Sequence, residues 1–319
     1  MDETCLVTGG AGFLGRFVVR SLEGRGQEVT VLSRSPVDGR RTLLADLTRG
    51  GIDLPPEGFR RVYHAAGLAH VEPRTHEERQ RFAAVNVEGT RRLLTGLEQC
   101  RRLPEAFLLV STVAVYGLAE GVLLDETAPR AANDAYGLSK RQAEDLVQDW
   151  GARQGVRTSV VRLPLVAGRG APGNLGKMVA AIAAGRYLGV GEGAARRSMV
   201  RAVDVAAALP RVAEAGGVFH LTDGQHPSFA ELEAALAAAL GRRPPWHLPL
   251  PFARGAAAAG EALGTLTGRR MPFDGRALVK MTSTLTFSDE KARRALGWAP
   301  TRVLDFVPEL LEGLRHPTE

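Results

Sequence analysis

Tyr136 and Lys140 stand four residues apart in Tyr136-Gly137-Leu138-Ser139-Lys140, a spacing that puts a phenol and an ammonium on one face of a helix. An ammonium beside a phenol lowers its pKa, so Tyr136 is a candidate acid/base near neutrality and Lys140 can also hold a ribose. Four tyrosines and four lysines scattered over 319 residues would give about 0.05 such pairs by chance. Upstream, Ser111-Thr112-Val113-Ala114-Val115-Tyr116-Gly117 follows an apolar run. The hydroxyls of Ser111 and Thr112 suit a carbonyl or alkoxide oxygen.

A second chemical signal opens the chain. In Thr8-Gly9-Gly10-Ala11-Gly12-Phe13-Leu14-Gly15, the glycines at 9, 12 and 15 follow the first apolar strand and lead into a helix. This pattern permits a tight turn, close approach of backbone to a pyrophosphate, and tight helix–strand packing. Phe13 and Leu14 open the helix whose free N–H groups would face the phosphates. The end of the second strand carries Ser33-Arg34 where NAD sites usually carry an acid for the ribose hydroxyls. An arginine there favours the 2′-phosphate of NADP(H), with NAD(H) the alternative. Arg16 is placed to assist, and Asp46-Leu47 suits an adenine contact.

The elements that must position these groups alternate. Cys5–Thr8, Glu28–Leu32, Arg61–His64, Phe107–Val110 and Thr158–Val161 read as strands apolar on both faces, with helices near 13–24, 77–99 and 136–154 between them. The pattern predicts an α/β fold: a doubly wound parallel Rossmann sheet over 1–163, with a returning segment near 202–221. Beyond residue 163 the chain becomes richer in Gly and Pro, with helical patterns at 228–240, 288–296 and 304–315. Residues 164–319 therefore read as a smaller C-terminal α/β substrate domain.

Composition limits the partners. Hydrophobic residues are 45%, charged residues 24% and net charge +6, as in an ordinary globular protein. Of 41 cations, 37 are arginine, dispersed and without aromatic interleaving, which argues against nucleic-acid binding. Most of them follow from an Arg/Ala/Gly-rich composition, so each arginine is argued by position. Two cysteines without CxxC spacing fit a reducing compartment, and no signal peptide or 18-residue apolar stretch is visible, so the expectation is cytoplasmic with no membrane partner. His64, His70 and His76 recur every six residues, which scatters them around a helix, and no metal site is expected. Gly170–Met178 imitates a phosphate loop with the wrong spacing.

Together TGGAGFLG, HAAG (His64–Gly67), NVEGT (Asn86–Thr90), STVAVYG, YGLSK, the Arg196–Ala206 segment and LGWAP (Leu296–Pro300) resemble the extended short-chain dehydrogenase/reductase family. The resemblance is to its nucleotide-sugar 4-epimerase and 4-ketoreductase branch. It implies Thr112 as the catalytic hydroxyl, Tyr136 as acid/base and Lys140 as its electrostatic partner, with Ala65, Ala66 and Gly67 lining the cofactor. It further implies Asn86 as scaffold, Arg197 on the substrate diphosphate, Asn174-Leu175 on the nucleotide and Tyr187–Val190 beside the base. Asp204 reads as a helix cap rather than a ligand.

Departures from the family narrow the activity. Val113-Ala114 replaces the acidic pair of 4,6-dehydratases, which disfavours elimination. Ser33 and Ala69 replace the acid and lysine usual in UDP-galactose 4-epimerases. Arg269, Arg270 and Arg276 compete for the family's C-terminal arginine. The expectation is an NADPH-dependent 4-ketoreductase of a nucleoside-diphosphate sugar, with a cofactor-retaining 4-epimerase as the alternative. More distant alternatives are a reductase of a non-nucleotide ketone and a non-catalytic NADP-binding protein. Family members often form homodimers through helices corresponding to 77–99 and 136–154.

Overall fold

The computed structural model describes residues 4–71, 73, 75–267 and 273–315. Arg269 and Arg270 lie outside the described residues. In chain order the strands are β1 (Thr4–Thr8), β2 (Glu28–Ser33), β3 (Arg41–Leu44), β4 (Arg61–His64), β5 (Ala106–Thr112), β6 (Gly121–Leu124) and β7 (Arg157–Leu163). Then follow β8 (Leu165–Ala167), β9 (Gly189–Val190), β10 (Met199–Arg201), β11 (Gly217–His220), β12 (His247–Leu248) and β13 (Leu285–Phe287). The helices are α1 (Phe13–Glu23), α2 (His76–Phe82), α3 (Gly89–Glu98), α4 (Ala135–Gln154), α5 (Gly173–Ala183) and α6 (Ala202–Ala215). The last five are α7 (Phe229–Ala239), α8 (Leu250–Thr267), α9 (Gly275–Thr282), α10 (Glu290–Leu296) and α11 (Val307–Arg315).

Seven strands form one parallel sheet in the order β11-β7-β5-β4-β1-β2-β3. Alternate residues of its inner strands serve opposite apolar layers. Val7, Val31, Leu108 and Val161 pack with Val18, Val19 and Leu22 of α1 and Val205, Leu209 and Val212 of α6. Their neighbours Leu6, Leu32, Leu109 and Val160 pack with Leu93, Leu94 and Leu97 of α3 and Val147 and Trp150 of α4. The expected return to the first sheet is β11, which pairs with β7 from Gly217↔Ser159 to His220↔Arg162.

Helix 77–99 is expected as one run and is instead α2, a π-helical turn over Ala83–Glu88, and α3. The turn closes through Gly89 N–H to Ala84 O, and such turns recur at functional sites. A separate core joins α5, α7 and α11 through Leu175, Met178, Leu232, Leu236, Val307 and Leu310. Three short parallel pairs, β10–β8, β12–β9 and β13–β6, tie the later chain together. The sequence reading gives none of them, since strands of two to four residues carry too little alternation to register. It also passes over α8, where Ala256–Ala259 reads as composition although alanine is the strongest helix former.

Candidate active site

β1 delivers the glycine turn, and the turn is shaped for a ligand that approaches backbone. Gly9 has φ +71°, and a Cβ there would lie 2.7 Å from Ala66 N. A Cβ on Gly15 would run into Gly9 O, so α1 sits directly on the turn. Gly12 caps α1 with no side-chain acceptor, leaving the N–H groups that open Phe13, Leu14 and Gly15 to a ligand. The loop after β4 closes against this turn: Ala65 N–H donates to Thr8 O at 3.2 Å and Ala66 N–H to Thr8 Oγ1 at 3.2 Å. Gly67 continues it, and a Cβ there would lie 3.1 Å from Asn86 Oδ1 and 3.9 Å from Lys140 Nζ.

One chain of hydrogen bonds runs from this turn to the second site element. Thr90 Oγ1 donates to Asn86 O, so it accepts from His64 Nε2–H at 2.9 Å, and His64 Nδ1 then accepts from Thr8 Oγ1 at 2.6 Å. This requires the neutral Nε2–H tautomer. Burial drives the His64 pKa down to about 3, with the Lys140 charge adding to the shift. Asn86, on the π turn, accepts from Leu68 N–H at 2.7 Å and donates to Leu68 O at 3.1 Å and Ser139 Oγ at 2.9 Å. The extra residue of the π turn aims its amide across the loop to α4.

β5 ends at Thr112, and a short 3₁₀ turn over Val113–Tyr116 follows. Thr112 Oγ1 accepts from Ala114 N–H at 3.2 Å, which leaves its proton free to donate, and its hydroxyl faces the Tyr136 phenol closely enough to oppose the rise in that phenol's pKa. α4 docks against this turn because Gly137 lacks a side chain: a Cβ would lie 2.6 Å from Ala114 O. Asp134 caps α4, accepting from Tyr136 N–H at 3.1 Å and Gly137 N–H at 3.0 Å. The Phe82 ring lies 6.0 Å from that of Tyr136. One turn on, buried Lys140 donates to Val110 O at 2.6 Å. Burial lowers its pKa to about 8, against the opposing pull of Glu144.

Several expectations are corrected here. The Tyr136 pKa is raised, not lowered, because burial dominates and the Lys140 ammonium is directed to a backbone carbonyl. Ser111 faces away from Thr112's side, donating to buried Glu144 at 2.5 Å, and so does not offer its hydroxyl to substrate. Leu47 and Leu175 are core residues, 8% and 4% exposed. Arg197 points onto the C-terminal end of α9, donating to Lys280 O at 2.6 Å, to Ser283 O and to Arg196 O at 3.2 Å. Asp204 is not a cap; it accepts from Thr301 N–H at 2.9 Å and Thr301 Oγ1 at 2.6 Å. The Arg16 guanidinium lies near Gly170, where a Cβ would come within 3.5 Å of its Nη2.

Other positions remain compatible with ligand contact. Arg34 is exposed beside Ser33 at the end of β2, and its charge helps lower the Asp46 carboxyl, though Thr48 does most of this by hydrogen bonding. Asp46 Oδ1 is engaged by Thr48 N–H at 2.8 Å and Thr48 Oγ1 at 2.7 Å. Asn174 is exposed in the first turn of α5. Tyr187 precedes β9, and burial, with the nearby Glu233 charge, raises its phenol pKa. Among the described residues no His/Cys/Asp/Glu cluster could hold a metal, and no helix is long and apolar enough to cross a membrane.

Sequence reasoning missed a buried polar group behind the site. Glu144 on α4 and Arg162 on β7 are fork-paired, Nη2 to Oε2 at 2.8 Å, and Arg162 Nη1 donates to Tyr116 Oη at 2.7 Å. Tyr116 in turn meets His220 Nε2 at 2.6 Å. The available signals were a glutamate one turn after Lys140 and a lone arginine inside the apolar run Val160-Val161-Arg162-Leu163.

Residues 5–221 match the family model described as NAD dependent epimerase/dehydratase family. UDP-glucose 4-epimerase of Vibrio cholerae is 28% identical over 95% of this chain and 93% of its own. GDP-6-deoxy-D-mannose reductase of Pseudomonas aeruginosa is 32% identical over 74% of this chain and 80% of its own. The structure of RMD from Pseudomonas aeruginosa complexed with NADPH superposes with a TM-score of 0.75 over 98% of this chain and all of that one, at 23% identity.

Proposed function

Since the chain belongs to the NAD dependent epimerase/dehydratase family of extended short-chain dehydrogenase/reductase enzymes, we propose that it is an NADPH-linked reductase of the 4-keto group of a nucleoside-diphosphate sugar. The observation that carries this is the trio Thr112, Tyr136 and Lys140, with a phenol that burial keeps protonated. A protonated phenol is a donor, which is what reduction of a ketone needs.

The residues present fit a dinucleotide: an α1 start without a side-chain cap, a turn a Cβ would block at Gly9, and Lys140 beneath Gly67. A bound nicotinamide supplies the hydride. Thr112 hydrogen-bonds the carbonyl oxygen, Tyr136 gives it a proton as negative charge develops, and Lys140 offsets the charge left on the phenol. Arg34, with no acid at the end of β2, favours the 2′-phosphate. Asn174, exposed in the first turn of α5, borders the nucleotide. Val113 and Ala114 form the turn after Thr112, so no carboxyl stands there for elimination.

The test is direct. With NADPH and a nucleoside-diphosphate 4-keto sugar, the protein should consume NADPH in step with product. A UDP-hexose without added cofactor should stay unchanged. The similarity to a 4-epimerase over 95% of the chain favours the second reading, in which the same residues oxidise and re-reduce C4. Conversion of UDP-hexose without added cofactor would establish it in place of the reductase.

A further inference from the structure

Glu144 is fully buried, yet no step of the proposed reaction uses it. It lies one helical turn after Lys140, and its carboxylate is approached from three elements. From β5, Ser111 Oγ donates at 2.5 Å; from β7, Arg162 Nε donates to both oxygens at 3.2 and 3.1 Å and Nη2 to one at 2.8 Å; from the loop before α4, Arg130 Nη1 donates at 3.3 Å. Behind Arg162 stand Tyr116 and His220, and Tyr116 is held neutral by burial, which pushes its pKa up to about 12.

We propose that Glu144 is a positioning residue that fixes the end of β5 through Ser111, and so the adjacent Thr112, while holding the Lys140 side chain in its charged form. A carboxylate so enclosed is a fixed negative charge with one anchor on the strand that carries Thr112 and another on the helix that carries Lys140 and Tyr136. Lys140 needs such support. It is buried, its one recorded hydrogen bond is to Val110 O, and the other titratable groups beside it are His64, which is neutral, and Tyr136 one turn back. Burial lowers the pKa of the ammonium, and the Glu144 charge acts against this. Arg162, bonded to both Glu144 oxygens, prevents the carboxylate from rotating toward Lys140 to form a direct pair.

This inference rests on the roles given above to Thr112 and Lys140, and its test separates the two. NADPH affinity, read by nucleotide fluorescence, is followed from pH 6 to pH 10 for the wild type, Glu144→Gln and Glu144→Asp. Wild-type affinity should fall above about pH 8 as Lys140 loses its proton. Glu144→Gln should move that fall to lower pH by about one unit, and Glu144→Asp should leave it near the wild-type position. A Glu144→Gln profile that coincides with wild type overturns the inference while the reductase reading stands. A shifted profile in a protein that reduces no nucleotide sugar keeps the inference and removes the reductase. A wild-type profile flat across this range overturns the inference, and the reductase reading then stands or falls on NADPH consumption. Should Glu144→Gln fail to fold, Ser111→Ala keeps every charge and removes one anchor. It should lower kcat about ten-fold with NADPH affinity unchanged, the loss expected for a buried hydrogen bond to a charged group. Wild-type kcat in Ser111→Ala overturns the positioning of Thr112.

Discussion

Lowering the pH from 6.5 to 5 should destabilise this protein through histidines buried in neutral form. His64 has a pKa near 3 in the folded chain against 6.5 for a free imidazole, and His220 a pKa near 4, both chiefly from burial. A folded-state pKa below the unfolded one means that the unfolded chain takes up the proton first, so stability is complete above pH 6.5 and falls as pH drops toward the folded value. At pH 5 the gap already traversed by each imidazole is 1.5 units, or roughly 2 kcal/mol per histidine. Ordinary carboxylates remain mostly ionised down to pH 5, so most of the slope belongs to imidazoles. Chemical denaturation followed by circular dichroism at several pH values between 5 and 7 gives the slope. His64→Asn keeps an acceptor for Thr8, and the variant should lose about 2 kcal/mol of the pH 5 penalty although it is less stable at pH 7. Wild-type stability that is flat from pH 6.5 to 5, or a His64→Asn slope equal to wild type, would refute the neutral relay from Thr8 to Asn86.

Two further outcomes test the cofactor site. Arg34→Asp should weaken NADPH relative to NADH by about ten-fold or more, the worth of a charge-assisted contact to the 2′-phosphate, as read by titration of both cofactors; an unchanged ratio removes Arg34 from the site. Gly15→Ala places a methyl against Gly9 O and 2.7 Å from Gly9 C, so α1 must move off the turn. Overpacking of about 1–3 kcal/mol and loss of measurable dinucleotide binding should follow, checked by thermal unfolding with and without NADPH.

The Rossmann sheet was legible because its inner strands serve two apolar layers, and Leu6 beside Val7 shows why their sequence runs look unbroken; the half-exposed edge strand β3 lacks this signal. The glycine turn was legible for a related reason, since contacts between Gly9 and Ala66 and between Gly15 and Gly9 demand that residue type. Tyr136 and Lys140 were found by type and spacing, and Thr112 through the family resemblance, from a pair of adjacent hydroxyls that spacing left open. What could not be read was direction. Ser111 and Thr112 are adjacent hydroxyls, and only the pleat of β5 sends one inward to Glu144 and leaves the other for Tyr136. Arg197 was chosen by motif, but the carbonyls that engage it come from residues 83 and 86 positions later, a contact no local pattern encodes. The Glu144–Arg162 pair escaped for the same reason: 18 residues separate partners that meet only when β7 lies beside β5 under α4.

The π turn at Ala83–Glu88 sets a phase. A regular helix advances 100° per residue, so one surplus residue inside a continuous rod rotates everything after it by that amount relative to everything before. Phe82, ahead of the surplus, meets Tyr136, while Leu93, Leu94 and Leu97, after it, meet the sheet. The single rod thus serves two bodies at different azimuths, and Asn86 sits at the step between them. In this stretch the number of residues, and not only their identity, is part of the site. An enzyme with the same side chains and one residue fewer would have the same core or the same tyrosine pocket, but not both.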